Sequence, residues 1–151
     1  MSDDSFIREV NEEIRREQAQ ALWDRFGPAL LGLAILIVLG TAAVKDFDDV
    51  AADTAIPQAI RDMARLRAAL LLVDTGSFAE VSSRVEALTA DTNTLRHTAR
   101  EALGLAAWKE GKTADALKLF DQIASDDGAP RNARQRATLM SELIRGSGNA
   151  S

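Results

Sequence analysis

From Pro28 to Val44 the chain reads PALLGLAILIVLGTAAV, without one charged residue. With Gly27 included, the run extends roughly 27 Å as a helix at about 1.5 Å per residue, close to the roughly 30 Å of a hydrocarbon core. Leu30, Leu31, Leu33 and the unbroken series from Ile35 to Leu39 supply the apolar bulk. Each such residue favours insertion by about 0.3–0.6 kcal/mol near a helix centre, a sum that one Arg or Asp would largely cancel. A helix buried in a soluble core carries one apolar stripe, whereas this one is apolar on every face. A cleavable secretory signal is the stronger rival, because Thr41-Ala42-Ala43 supplies small residues of the kind a peptidase cuts. The preceding segment is long and rich in Glu, unlike the short basic leader of such a signal. The sequence therefore predicts a single membrane-spanning helix over residues 27–44.

Arg8, Arg15, Arg16 and Arg25 precede that span, and beyond it Lys45 stands alone until Arg61. Lys and Arg near the ends of a span set its orientation, and acidic residues count for little. The N-terminus is therefore expected in the cytoplasm and the C-terminal region on the far side. Trp23 and Phe26 stand where an interfacial aromatic belt belongs, with Phe47 as an anchor opposite. Residues 1–26 read as an amphipathic helix. Ile7, Val10 and Ile14 form one stripe, continued by Ala21, while Arg8, Glu12 and Arg16 pair at i,i+4 on another face. Such a segment serves as a solvated stalk or as a docking helix. Asp46, Asp48, Asp49 and Asp53 mark residues 45–56 as an acidic linker.

About one hundred of the 151 residues remain for a further domain, enough for one modest core. The chain has no Cys, which excludes a disulfide framework, a thiolate metal site and a thiol nucleophile. Its net charge is −5 and its basic residues are scattered, so the electrostatic footprint of a nucleic-acid binder is missing. Ala and Leu dominate, and no stretch alternates apolar with polar residues for long. The expected class is all-α.

Helical patterns separated by short polar punctuation fill residues 57–146, leaving 147–151 as an expected disordered tail. The first pattern runs from about Pro57 to Thr75 and stops at Gly76, which has the form of a left-handed cap. Ser77 and Glu80 then have capping-box spacing, opening a second helix to about Ala90. A third runs from about Leu95 to Glu110 and stops at Gly111. A fourth starts near Thr113, with Ala116, Leu117, Phe120 and Ile123 on one face. Pro130 opens the last, which ends before Gly146 and whose polar face shows Arg131, Arg134, Gln135 and Glu142.

Those stops are periodic, since Gly76, Gly111 and Gly146 lie thirty-five residues apart. The same shift aligns Ala64 with Ala99, Arg65 with Arg100, Leu70 with Leu105, Val81 with Ala116, Val85 with Phe120 and Leu88 with Ile123. A helix–turn–helix unit recurring at about 34 residues is the signature of a tetratricopeptide array, in which stacking completes a core that no unit has alone. The unit with Leu103-Gly104, Gly111, Ala116 and Phe120 is similar to that family, which places small and large packing residues at these intervals. The sequence thus predicts an N-terminal helix continuing into one membrane span, then antiparallel helical hairpins stacked as a short tetratricopeptide-like array.

The order of parts carries a second resemblance. A charged N-terminal helix opening Met1-Ser2-Asp3-Asp4-Ser5-Phe6 leads through Trp23-Asp24-Arg25-Phe26-Gly27 into a single span, followed by divergent tetratricopeptide-like helices. This resembles the YfgM-like ancillary subunits of the SecYEG translocon in their alphaproteobacterial form. The resemblance implies an inner-membrane protein, N-terminus cytoplasmic and helical domain periplasmic, whose partners are translocon components, periplasmic chaperones or emerging chains. Family members usually carry further repeats between the span and the position of Ala51-Ala52, which Lys45 to Thr54 replaces here with a short acidic stretch.

No catalytic constellation stands out, so neither an enzyme nor a cofactor or metal site is expected. His97 is the one histidine and falls near a helix start among Thr94, Arg96 and Thr98, as a surface or capping residue would. A pocket holding a strongly shifted carboxylate beside it would revive an enzymatic reading. Asp126-Asp127 beside Gly128 falls short of a calcium loop. Glu101 and Glu110 read as ordinary helix-surface charges, and Thr75-Gly76-Ser77 as a turn with no Walker-type Lys after it. Protein binding is the expected activity. In tetratricopeptide domains the first helix of each unit lines the concave face. The repeat alignment carries that role to Met63, Leu66, Leu70 and Val73, and to Thr98, Glu101, Leu105, Trp108 and Lys109. Trp108 combines large apolar area with a polar N–H, as interface hot spots do, and a core filler between repeats is its other reading. A scaffold for a different envelope complex, serving division or respiration, is the alternative function, since repeat folds host many partners.

Overall fold

A computed structural model describes residues 40–148. The chain divides into two compact units, residues 1–41 and 42–151, and the helices below belong to the second from residue 42 onward. The amphipathic helix expected over 1–26, most of the span expected over 27–44 and the last residues of the tail lie outside the described residues. Among the described residues, no helix is long and apolar enough to cross a membrane.

The described chain is all-α. A helix over residues 40–52, α1, is followed by α2 (Gln58–Leu72), α3 (Phe78–Val85), a 3-10 turn (Glu86–Thr89), α4 (Arg96–Lys109), α5 (Thr113–Ala124) and α6 (Arg131–Gly146). The stretch read as an acidic linker over 45–56 is thus helical as far as residue 52. Its acidic residues have a structural use. Both carboxylate oxygens of Asp48 accept from the Arg84 guanidinium on α3, at 2.9 and 2.6 Å, and Ala51 is buried.

Local chemistry explains the element boundaries. Pro57 and Pro130 stand immediately before α2 and α6, with extended ψ angles of 141° and 140°. Proline is tolerated there because a helix start leaves its N–H unpaired in any case. The capping box forms as the spacing predicts: Ser77 Oγ accepts from the Glu80 amide and the Glu80 carboxylate accepts from the Ser77 amide. The second helix does not continue to Ala90 as a single α-helix. The Thr89 hydroxyl donates to the Glu86 carbonyl at 2.7 Å, and Arg100 Nε donates to the Thr89 carbonyl at 3.0 Å. Those bonds tighten the last turn and satisfy its free carbonyl from outside.

The first two glycine stops work differently. Gly111 has φ +74°, the Gly111 amide donates to the Trp108 carbonyl and the Lys112 amide to that of Ala107, which is a Schellman cap on α4. Gly76 is not left-handed, contrary to expectation: among the described residues only Gly111 and Gly148 have positive φ. Space explains it instead. A Cβ at residue 76 would lie 3.0 Å from both the carbonyl oxygen and the Cβ of Leu72. The last helix includes Gly146 rather than stopping before it.

Each helix from α2 to α6 packs on the next in chain order, and α4 also meets α2 and α6. Two apolar clusters result. Leu66, Ala69, Val81, Val85, Leu88, Ala99, Leu103 and Ala106 join α2, α3 and α4. Ala107, Ala116, Phe120, Ile123, Ala129, Ala133, Ala137 and Ile144 join α4, α5 and α6. Helix α4 therefore lends a face to each. Its Ala-rich surface lets neighbours come close, and each large side chain sealed between them contributes about 1.5–3 kcal/mol. Both members of the aligned pairs Val81/Ala116, Val85/Phe120 and Leu88/Ile123 are buried.

Candidate partner-binding surface

The residues expected to hold a partner separate into three groups. Met63 and Leu70 on α2 and Thr98 on α4 are exposed, and Val73 is half-buried just past the end of α2. Leu105 and Trp108 on α4 are half-buried and pack against the second apolar cluster. Trp108 thus packs on the core while part of its ring stays exposed.

The third group does internal work, and for Leu66 burial corrects its assignment as a partner contact. Leu66 is only 4% exposed, because α2 turns it toward α3 and α4 within the first cluster. The Glu101 carboxylate accepts from Arg136 Nε and Nη2 of α6, both at 2.7 Å. That fork-to-fork pair holds the Arg136 guanidinium above its ordinary pKa. The Lys109 ammonium donates to the carbonyls of Asp74, at 3.1 Å, and of Gly76. Glu110, next to it, accepts from the Phe78 amide at 2.5 Å and from the Lys112 ammonium at 2.9 Å. The amide bond first, then the lysine, holds the Glu110 carboxyl below the usual range. Lys112 also lies 3.9 Å above the Phe78 ring, a cation–π arrangement. The C-terminal end of α4 therefore clamps the α2–α3 turn. Neither Glu101 nor Glu110 is an idle surface charge.

His97 is likewise not on the surface. It is 9% exposed, with Nε2 2.7 Å from Asp126 Oδ2. The same oxygen accepts from Arg96 Nε at 3.0 Å, and Asp126 Oδ1 accepts from the Gly128 amide at 2.8 Å. Arg96 above all, then His97 and the amide, hold the Asp126 carboxyl far below the usual carboxylate range. A shifted carboxylate does stand beside the histidine, but both its oxygens are taken up within the fold. The group fastens the first turn of α4 to the α5–α6 turn, and structural ion networks of this kind shift pKa values as active sites do. Among the described residues, no cluster of three or more His, Cys, Asp or Glu could hold a metal ion.

Four exposed apolar residues escaped sequence reasoning: Ile60 and Leu71 on α2, and Leu139 and Leu143 on α6. Their signal was an excess of apolar residues over what one buried stripe needs. Leu139 belongs to a shallow open groove of about 660 Å³ on α6, with Arg131, Arg134, Gln135 and Glu142 around it. No protein-family profile, no curated protein and no solved structure matches this chain.

Proposed function

We propose that this chain is a single-pass inner-membrane protein whose helical domain is a short tetratricopeptide-like interaction module in the periplasm, ancillary to the protein-secretion channel. One observation carries the repeat reading: residues about thirty-five apart in sequence meet in space. Glu101 pairs with Arg136, Lys109 reaches the Asp74 carbonyl, and Arg84 pairs with Asp48 at thirty-six. Contacts recurring near one repeat length are what stacking of successive hairpin units requires. The uncharged run at 28–44 supports the anchor. The YfgM-like order of parts supports the secretion channel as the place where it works. Thr98, Leu105 and the exposed part of Trp108 form the partner surface on α4.

A photo-crosslinking residue at exposed position 98, in the full chain in native membranes, tests this reading. Enrichment of channel components by mass spectrometry, lost when Trp108→Ala is added to the same probe-bearing chain without loss of helicity, supports it. Enrichment of a division or respiratory complex instead overturns it.

A further inference from the structure

We infer that the outer face of α2 is a two-fold contact between two copies of this chain. Ile60, Met63, Leu70 and Leu71 are all 42–54% exposed on this one ordered helix. At 100° per residue, Met63, Arg67, Leu70 and Asp74 follow one line along it, with Ile60 and Leu71 on its flank. Val73 keeps helical angles, φ −53° and ψ −43°, so Asp74 continues that line past the end of the helix. Apolar residues lined up this way on an ordered helix mark an interaction site.

The charges identify the occupant. Arg67 and Asp74 are exposed, and among the described residues neither side chain is in an ion pair, which is also true of Lys118 and Arg131 elsewhere; what sets these two apart is that they lie on the same line as the exposed apolar residues of α2. One free cation and one free anion thus stand on either side of Leu70 and Leu71. Reversal about an axis between those two leucines brings Arg67 of one copy against Asp74 of the other, twice, with the leucines packed at the centre. A register centred on Arg67 would set two guanidinium groups against each other and is disfavoured. The stretch from Arg67 to Asp74 is therefore self-complementary in this register, as an isologous contact demands, while Ile60 and Met63 reach past the end of the partner's α2 toward the start of its α3. It involves few side chains, fewer than the 20–30 residues a side of a standard interface, so pairing is weak in dilute solution and relies on confinement of the copies. That confinement is what the proposed membrane anchor supplies, so the pairing rests on that part of the reading; it goes beyond the partner capture assigned to α4 and does not depend on which proteins α4 holds.

The cysteine-free sequence makes the test direct. The full chain carries a single cysteine in native membranes and is treated with a short bismaleimide. Leu70→Cys, next to the axis, yields a crosslinked homodimer, whereas Lys118→Cys on exposed α5 surface does not. Co-expressed Arg67→Cys and Asp74→Cys proteins crosslink to each other more than either does to itself. In the Leu70→Cys background, Arg67→Asp lowers the dimer yield at least several-fold, and adding Asp74→Arg restores it. A Leu70→Cys yield no greater than that of Lys118→Cys overturns the inference. So does a double reversal that fails to restore pairing, or a Leu70→Cys adduct to a different protein in place of the homodimer. Any of these leaves the position-98 crosslinking result untouched, so the two readings fail separately.

Discussion

The Phe120 ring of α5 lies against the bare α-carbon of Gly104 on α4, so close that a Cβ at residue 104 would stand 3.1 Å from the ring. Phe120 is fully buried and cannot retreat into solvent. Alanine would gain about 1 kcal/mol of helix propensity over glycine, but overpacking a core costs about 1–3 kcal/mol. Gly104→Ala is therefore expected to destabilise the domain by roughly 1 kcal/mol net, read by thermal or urea unfolding of the full chain in mild detergent. Phe120→Leu in the Gly104→Ala background should recover part of what Phe120→Leu loses alone, because each change relieves the other.

The bidentate pair between Glu101 and Arg136 joins helices α4 and α6. Its partners are 23% and 52% exposed, so solvent screens much of the attraction. A double-mutant cycle with Glu101→Gln and Arg136→Met should return a coupling of about 0.5–1 kcal/mol, decreasing with added salt. A coupling indistinguishable from zero at low salt would remove this pair as a strut between α4 and α6.

Acid should loosen the junction of α4 with the α5–α6 turn. Because Asp126 is shifted downward in the fold, its contribution is fully present above its unfolded value of about 4 and is lost as pH falls from there toward the folded value. Glu80 and Glu110 are shifted the same way. Unfolding midpoints measured from pH 7 down to pH 3 should fall most steeply below about pH 5. Asp126→Asn should lower the midpoint at pH 7 and flatten the acid limb. An unchanged limb in that variant would contradict the role given to Asp126.

The Ser77–Glu80 capping box sets where α3 begins. Ser77→Ala should cost about 1 kcal/mol and Ser77→Gly only a few tenths, with earlier amide exchange in the first turn of α3. Equal losses for the two substitutions would mean that the hydroxyl is not what holds the cap.

Much of this fold was legible because it rests on local chemistry. Prolines before α2 and α6, the capping box and the Gly111 cap act within a few residues, so the sequence shows them directly. Gly104 and Phe120 were legible as small and large packing residues, but not that one would rest on the other. What escaped depends on partners far away in the chain. The depth of His97 is set by Asp126, and the uses of Lys109 and Glu110 by the α2–α3 turn, thirty-two to thirty-five residues distant. Leu66 was misread because the thirty-five-residue shift equates it with Glu101, and the same aligned position holds a core leucine on α2 and a half-buried carboxylate on α4. Ile60 and Leu71 were missed because they flank the aligned register rather than fall on it.

Protease treatment of spheroplasts, paired with alkaline carbonate extraction of membranes, tests most directly whether residues 27–44 hold the helical domain on the outer side of the inner membrane. The expected result is a chain that stays with the membrane pellet and loses its helical domain to protease once the outer membrane is opened. A helical domain protected in intact spheroplasts, or a chain released by carbonate, would contradict it.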